Sequence, residues 1–164
     1  MADTDIIDII DINQEIHGSA DVQTAHNKKL MHRVVGIFVF DVGSGKLYIQ
    51  KENKYGKLDL SAGGHVQKGE TYEKAAQREM YEELGLRTHL KHIATFLPTE
   101  ALLNHYWSIY KTFAPEDWKF EASEEVKSLE KKELSEIVKM VKSDPSVFTQ
   151  GFINAFSELI RENG

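Results

Sequence analysis

The sequence predicts an α+β fold, arranged as an α/β/α sandwich with helices on both faces of a mixed central sheet. The predicted elements come as several short strands, one helix, further strands and two final helices, whereas a doubly wound parallel sheet needs strands and helices to alternate. Hydrophobic residues make up 41% of the 164 residues, which is the apolar content of one domain with a buried core. We therefore predict a single domain over residues 1–164.

The strands are predicted by alternation and by runs of β-branched and aromatic residues. Acidic and apolar residues alternate over Asp5–Ile12, which predicts a strand or hairpin within an N-terminal extension at residues 1–30. Further strands are predicted at Val34–Asp41, Leu47–Lys51, Leu58–Leu60, Ile93–Leu97 and Trp107–Phe113. After the third of these, Ala62–Gly64 is predicted to form a tight turn with exposed amides.

Three helices are predicted from periodicity and end signals. Over Thr71–Leu84 an apolar residue recurs every fourth position, and Gly85 stands where a helix C-cap is expected. The segments Ser128–Ser143 and Pro145–Arg161 are predicted as terminal helices, the second with Asp144 as its N-cap.

Charge and composition exclude several classes of protein. The formal net charge is −6, and no basic block is dense enough to follow a phosphate backbone, so nucleic acid is not an expected partner. The absence of cysteine excludes disulfides, thiolate zinc sites and a cysteine nucleophile. The N-terminus lacks the basic start and apolar run of a signal peptide, and no apolar stretch is long enough to cross a bilayer. We therefore expect a cytoplasmic protein with no membrane partner.

The helix Thr71–Leu84 carries three glutamates at spacings that place them in one sector of its surface. Glu79, Glu82 and Glu83 repel one another by roughly 0.2–0.5 kcal/mol per pair in an isolated helix. A divalent cation would relieve this repulsion, and carboxylate oxygens favour Mg²⁺ or Mn²⁺. Alternatively, the three form a solvated acidic face neutralised by Arg78 and Lys74.

The residues around these glutamates form a longer motif. From Gly64 the chain runs through five residues to Glu70, then through seven residues to Arg78, and continues as Glu-Met-Tyr-Glu-Glu-Leu-Gly-Leu to Leu86. This resembles, at every specified position, the box of the Nudix hydrolases, here residues 64–86. The resemblance implies the Nudix-type sandwich and Mg²⁺-dependent cleavage of a diphosphate linkage in a small molecule.

The resemblance also implies roles for individual residues. The expected metal ligands are Gly64, Glu79, Glu82 and Glu83, and an ion pair of Glu70 with Arg78 is expected to brace the site. The general base is expected to be Glu82 or Glu83, with Glu125 in a later loop as second choice. For Glu124 and Glu125 a plain charged turn remains the alternative.

Outside the box the chain resembles the Nudix branch related to isopentenyl diphosphate isomerase. The resemblance rests on the segment Leu58–His65 and on the His32-Arg33 pair that opens a strand. Two features that the isomerases need are missing: Gly63 stands at the position of their cysteine, and Leu103, Asn104 and His105 replace their carboxylate pair. We therefore expect hydrolase chemistry on an isomerase-like scaffold, with an isomerase-like enzyme and a non-catalytic nucleotide-binding domain as alternatives.

Three histidines match positions near the metal ligands of the isomerases only approximately. We favour hydrogen-bonded structural roles for His26, His32 and His65 over metal binding. His89, His92 and His105 form no pattern that predicts a role.

The substrate is expected to be a nucleoside diphosphate, or one linked to another group. Five aromatic residues offer stacking surfaces, although aromatic residues of a sheet domain are usually core: Tyr55, Phe96, Tyr106, Trp107 and Trp118. A homodimer is left open.

Overall fold

A computed structural model gives the fold for residues 4–98 and 104–163. The other residues of the predicted domain 1–164, Leu103 among them, lie outside the described residues. No helix in the described ranges is both long and apolar enough to cross a membrane.

The strands and helices follow the predicted order, with additions. The strands are β1 (Ile6–Ile10), β2 (Ile16–Asp21), β3 (His32–Asp41), β4 (Leu47–Lys51), β5 (Leu58–Asp59), β6 (Ala62–His65), β7 (Lys91–Phe96), β8 (His105–Ala114) and β9 (Leu129–Lys132). The helices are α1 (Val22–Asn27), α2 (Tyr72–Leu84), α3 (Leu134–Ser143) and α4 (Gln150–Asn163).

Strand β3 is the centre of a mixed sheet. It pairs in parallel with β8, in a register that runs from His32 opposite His105 to Asp41 opposite Ala114. On its other side β3 pairs antiparallel with both β4 and β6. Strands β7, β5 and β9 extend the sheet outward, while β1 and β2 form the predicted N-terminal hairpin as a separate two-stranded sheet. The predicted mixed sheet is confirmed.

Side chains of β3 alternate between the two faces of this sheet. Val35, Ile37 and Val39 belong to the core beneath α2, whereas Phe38 and Phe40 belong to a second core. That second core includes Ile137 of α3 and four residues of α4: Phe152, Ala155, Phe156 and Leu159. Helices thus cover both faces, and the predicted α/β/α sandwich is confirmed.

The predicted helix Ser128–Ser143 is wrong in its first part. Residues Leu129–Lys132 form β9, which pairs antiparallel with β4, and the helix begins only at Leu134. The hydrogen bonds to β4 override the local helical pattern. Because β4 is distant in sequence, the local pattern does not predict this pairing.

The predicted start of the last helix at Pro145 is also wrong. Pro145–Val147 forms a 3-10 turn, and Phe148 is buried in extended conformation before α4 begins. The Thr149 hydroxyl accepts a hydrogen bond from the Phe152 amide (3.1 Å), so Thr149 caps the helix instead of Asp144.

The predicted turn at Ala62–Gly64 is part of strand β6, in which Gly63 lies opposite Gly36 of β3. A Cβ atom at Gly63 would approach the Val35 carbonyl oxygen to 2.8 Å. A glycine is therefore needed here for close approach of two strands. The short helix α1 was not predicted.

Candidate active site

Helix α2 fixes the predicted carboxylates at one edge of the sheet. It begins after Thr71, whose hydroxyl accepts a hydrogen bond from the Lys74 amide (3.2 Å), and ends at Gly85 in the left-handed conformation (φ 64°). Its buried face packs on the first core through Ala75, Ala76, Met80 and Leu84. The glutamates of the box lie on α2 next to these apolar residues.

Three carboxylates from two segments lie together. One oxygen each from Glu79, Glu82 and Glu125 lies within 4.8 Å of the others. Glu125 belongs to the loop between β8 and β9, so this loop reaches the helix. Its neighbour Glu124 is fully exposed and lies 3.7 Å from the ammonium of Lys127. The two adjacent glutamates therefore have different surroundings.

Glu83 is turned toward strand β6. Its carboxylate accepts a hydrogen bond from the Gly63 amide (2.9 Å) and one of 3.5 Å from the side-chain amide of Gln50. The charges of Glu79 and Glu125 also act on Glu83, which therefore lies beside the group of three carboxylates.

Gly64 leaves room for the carboxylate of Glu79. A Cβ atom at this position would overlap the carboxylate of Glu79, which is itself buried. Because Gly64 has no side chain, the backbone of β6 can lie close to α2 at this point. Gly64 is also the backbone ligand that the family resemblance implies.

Arg78 holds the loop and the helix together. Its guanidinium donates two hydrogen bonds to Glu70, of 2.8 and 2.9 Å, and one of 3.0 Å to the His65 carbonyl. It also donates to Glu79 (2.9 Å) and Glu82 (3.2 Å). The predicted pair of Glu70 and Arg78 is present in the structure, and it extends to two glutamates of the cluster.

Burial makes these carboxylates weaker acids in the protein without a cation. It raises the pKa of Glu79 to about 7, against the opposing effect of Arg78. Burial likewise raises the pKa of Glu83 to about 8, opposed by the hydrogen bond from Gly63. For Glu70, burial is outweighed by the hydrogen bonds from Arg78 and Gln67, and its pKa is lowered.

These shifts predict a pH-dependent effect of Glu83→Gln on the metal-free protein. Because the folded pKa of Glu83 is about 8, the folded state keeps a proton that an unfolded glutamate loses above about pH 4.3. Wild-type stability should therefore fall between pH 5 and 8 relative to the variant. One unit of pKa corresponds to about 1.4 kcal/mol, so at pH 8 the free energy of unfolding of the variant should exceed that of the wild type by more than about 1 kcal/mol.

Urea unfolding in a chelating buffer at pH 5 and at pH 8 measures this difference. Saturating Mg²⁺ serves as the control. A bound cation should raise the free energy of unfolding of the wild type at pH 8, and it should raise that of the variant less. If the free energies of unfolding of the two proteins differed by the same amount at both pH values, the raised pKa of Glu83 would be contradicted.

A cavity of about 260 Å³ lies beside Glu83 and is lined in part by strand β6. Gln50, Glu83, His105 and Trp107 are among its lining residues. Trp107 stacks on Phe96 with ring centroids 6.4 Å apart, which holds it in place as an apolar wall. Of the five predicted aromatic residues, Trp107 lines this cavity.

Four histidines converge next to the cavity, and His65 and His105 among them line it. His26, His32, His65 and His105 each offer a ring nitrogen within 4.8 Å of the other three. The Nε2 atom of His26 lies 3.1 Å from that of His65 and 3.2 Å from that of His105. Burial lowers the pKa of His32 to about 4 and that of His65 to about 3, so both rings are neutral at pH 7.

Sequence analysis missed two residues of this region. His105 is the parallel partner of His32 in the register of β3 and β8. Its signals in the sequence were its place two residues before the predicted strand Trp107–Phe113 and its match to the position of the isomerases' carboxylate pair. Gln50 was missed because its partner Glu83 comes from a helix that is remote in sequence.

The sandwich fold holds glutamates of α2 and Glu125 of a later loop close together, a set of oxygen ligands that suits a divalent cation. The family model of the NUDIX domain matches residues 30–150. The chain therefore belongs to the NUDIX family.

Relatives on the sequence level fall into two groups. The chain is 40% identical over 92 residues to an uncharacterized Nudix hydrolase from Nostoc sp., covering 52% of this chain and 54% of the relative. It is 28% identical over 162 residues to an isopentenyl-diphosphate Delta-isomerase from Serratia proteamaculans, covering 92% of this chain and 89% of the relative. The chain spans about half the length of two curated Nudix hydrolases that it matches over 85 and 92 residues.

Solved structures share the fold. A protein from Deinococcus radiodurans superposes with a TM-score of 0.70 at 24% identity, over 85% of this chain and 90% of the other. The NUDIX domain of Shewanella oneidensis NrtR, which was crystallised with ADP ribose, gives a TM-score of 0.61 at 11% identity, over 82% of this chain and 89% of the other.

Proposed function

We propose that the protein is an Mg²⁺-dependent pyrophosphohydrolase that cleaves the diphosphate linkage of a small molecule. The observation that carries this proposal is the convergence of Glu79, Glu82 and Glu125 within 4.8 Å, with Glu83 beside them. Like charges so close together are unfavourable unless positive charges offset them, and Arg78 supplies one positive charge beside these four carboxylates.

The residues present fit a divalent cation of the Mg²⁺ type. The donors are carboxylate oxygens, which Mg²⁺ and Mn²⁺ prefer, and the missing side chain of Gly64 gives its backbone access to the same point. Gly64, Glu79, Glu82 and Glu83 would hold the cation, and Glu125 extends this set. When bound, the cation would neutralise the charge that develops on the phosphate oxygens during cleavage.

The protein's own groups would carry the proton transfer. A water molecule attacks phosphorus, the bond from phosphorus to the leaving phosphate oxygen breaks, and a carboxylate accepts the proton of the water. Glu83 or Glu82 is our first choice for this base, and Glu125 is the second. Glu83 is held by the Gly63 amide, which fixes the direction of its carboxylate.

The cavity beside the carboxylates indicates where the rest of the substrate lies. Trp107 provides an apolar wall, and the amide of Gln50 lies at the border between this wall and Glu83. A flat base or sugar attached to a diphosphate would fit such a mixed surface. We therefore favour a nucleoside diphosphate, or one linked to another group, in line with the ADP ribose bound by the related NrtR domain.

Isomerisation of isopentenyl diphosphate is the second candidate, because the Serratia isomerase matches over most of the chain. That chemistry needs an acid and a base on opposite sides of a carbon skeleton. Gly63 occupies the position of the isomerase cysteine, and the backbone there approaches β3 too closely for a Cβ atom. The geometry therefore favours hydrolysis.

A substrate screen tests both candidates with one preparation. The purified protein with Mg²⁺ is incubated with nucleoside diphosphates and triphosphates, nucleotide sugars, dinucleoside polyphosphates and isopentenyl diphosphate, and phosphate products are measured. We expect Mg²⁺-dependent cleavage of a nucleotide substrate, lost on chelation. NMR of the isopentenyl diphosphate sample in deuterated water should show no deuterated dimethylallyl product.

Two outcomes would count against the proposal. Deuterium in a dimethylallyl product would establish the isomerase, and tight nucleotide binding without turnover would establish a binding domain. The single domain and the cytoplasmic location stay predictions from the sequence, and a homodimer stays open.

A further inference from the structure

The cavity beside Glu83 has carboxylates in its lining but no lysine or arginine among the described residues. The two carboxylates are those of Glu83 and Asp59. A wall with this charge would repel the phosphate groups of a substrate. The cavity is therefore suited to an uncharged part of the substrate, while the phosphates stay at the cation.

Asp59 ends β5 and is held in place by two hydrogen bonds. Its Oδ1 atom accepts one from the Leu60 amide (2.8 Å) and one from the Thr149 hydroxyl (2.9 Å). The Thr149 hydroxyl itself accepts from the Phe152 amide (3.1 Å). Its single proton is therefore available for Asp59, and both bonds fix the same oxygen of the carboxylate.

The other carboxylate oxygen of Asp59, Oδ2, accepts no hydrogen bond from the described residues, since both bonds to Asp59 end on Oδ1. Burial raises the pKa of Asp59, against the opposing hydrogen bonds from Leu60 and Thr149. A carboxylate that is removed from water without a neighbouring cation is stabilised by further hydrogen-bond donors. Asp59 thus offers an acceptor to a ligand in the cavity that it lines.

Gln50 supplies a second acceptor next to Asp59. The two residues lie directly opposite each other in the antiparallel pair of β4 and β5, which places their Cβ atoms on the same face and about 4.5–5.5 Å apart. The side-chain nitrogen of Gln50 donates to the Ser61 carbonyl (2.7 Å) and lies 3.5 Å from the Glu83 carboxylate. These contacts identify the nitrogen and leave the side-chain oxygen as an acceptor.

Two neighbouring acceptors match a ligand with two neighbouring donors. The 2′ and 3′ hydroxyl groups of a ribose are such a pair, and carboxylates recognise ribose hydroxyls in other nucleotide sites. The position also fits, because Gln50 pairs with Asp59 and its side chain reaches Glu83, as a ribose lies next to the diphosphate in a nucleotide. Trp107 in the same lining offers an apolar surface for the ring.

We propose that Asp59 and Gln50 determine substrate specificity by accepting hydrogen bonds from the 2′ and 3′ hydroxyl groups of a ribose attached to the diphosphate. This ribose subsite rests on the proposed function, which places the diphosphate at the carboxylates of α2. Asp59 would be the stronger acceptor of the two, because its oxygen carries charge. The expected ligand is therefore a ribonucleotide and not a deoxyribonucleotide.

Titration calorimetry of the wild-type protein with Ca²⁺ in place of Mg²⁺ measures nucleotide binding separately from turnover. We expect 2′-deoxy-ADP and 3′-deoxy-ADP each to bind at least about tenfold more weakly than ADP, because each lacks one donor to these acceptors. The affinity of 2′-deoxy-CDP should fall by a similar factor relative to CDP, since neither acceptor contacts the base. Equal binding of the ribose and deoxyribose forms, or no binding of ADP and CDP, would overturn the proposal.

A matched pair of variants assigns the discrimination to Asp59. Asp59→Asn keeps the shape of the side chain but removes its charge, so it should bind ADP at least about tenfold more weakly and prefer ADP over 2′-deoxy-ADP by less than about threefold. Asp117→Asn is the control, because Asp117 is exposed in the loop after β8 and is not among the described residues that line the cavity. Wild-type discrimination in Asp59→Asn would refute the role of this carboxylate. If Asp59→Asn fails to fold, the wild-type comparison of ADP with its two deoxy analogues still decides.

Hydrolysis assays with Mg²⁺ distinguish failure of the ribose subsite from failure of the proposed function. Cleavage of a ribonucleotide and its 2′-deoxy form with equal kcat/KM would remove the subsite and leave the hydrolase. Discrimination in binding without any Mg²⁺-dependent cleavage would support the subsite and remove the hydrolase.

Discussion

Glu83→Gln should lower kcat by more than about a hundredfold with no loss of folding stability. The substitution keeps the shape of the side chain and leaves an acceptor for the Gly63 amide, which donates to Glu83 at 2.9 Å. It removes the negative charge that would bind the cation or accept a proton from the attacking water. We expect a similar loss for Glu82→Gln, because Glu82 belongs to the cluster with Glu79 and Glu125.

Steady-state kinetics at several Mg²⁺ concentrations measure this effect. A ligand that only binds the cation should be partly rescued by higher Mg²⁺, whereas loss of the general base should persist at saturation. Near wild-type turnover in both variants would refute the carboxylate site.

The adjacent glutamates of the later loop supply a matched pair for the second choice of base. Glu125 lies in the carboxylate cluster, whereas Glu124 is exposed beside Lys127. Glu125→Gln should therefore reduce turnover, and Glu124→Gln should leave it within about twofold, as expected for a surface charge. Equal effects of both substitutions would show that the loop acts only through its overall charge.

Local signals in the sequence were enough to predict α2 and the placement of its glutamates. Thr71 and Gly85 mark both ends of the helix through contacts within a few residues, and the positions of Glu79 and Glu83 follow from the helical repeat. Strand β3 was predictable from its run of β-branched and aromatic residues, because both of its faces are buried against a core.

The missed elements depend on contacts between distant residues. Strand β9 forms because Leu129–Lys132 pairs with β4, and nothing within that segment specifies this partner. The place of His105 beside His32 follows from the parallel register of β3 and β8, which no local pattern reveals. The residues of the candidate site that lie on one helix were therefore predictable from the sequence. Those that the sheet brings together from distant segments were not.

Arg78→Lys should lower kcat/KM by about 10–100-fold, although Arg78 is proposed to contact neither the substrate nor the cation. The guanidinium makes two hydrogen bonds to Glu70 and further ones to Glu79, Glu82 and the His65 carbonyl. A lysine keeps the charge, but its single ammonium cannot form this planar set of contacts. Glu79 and the end of β6 should then lose their fixed positions relative to each other.

The Mg²⁺ concentration for half-maximal activity distinguishes this positioning role from a general loss of stability. It should rise about tenfold or more in Arg78→Lys, while Tm changes little, because the lysine keeps a positive charge beside the buried Glu79. Lys74→Gln is the control, since Lys74 is exposed one turn earlier on the same helix. Arg78→Lys combined with Glu70→Gln should cost much less than the sum of the two single effects, because both disrupt the same ion pair. Additive losses would mean that Arg78 acts on the reaction by a route that does not involve Glu70.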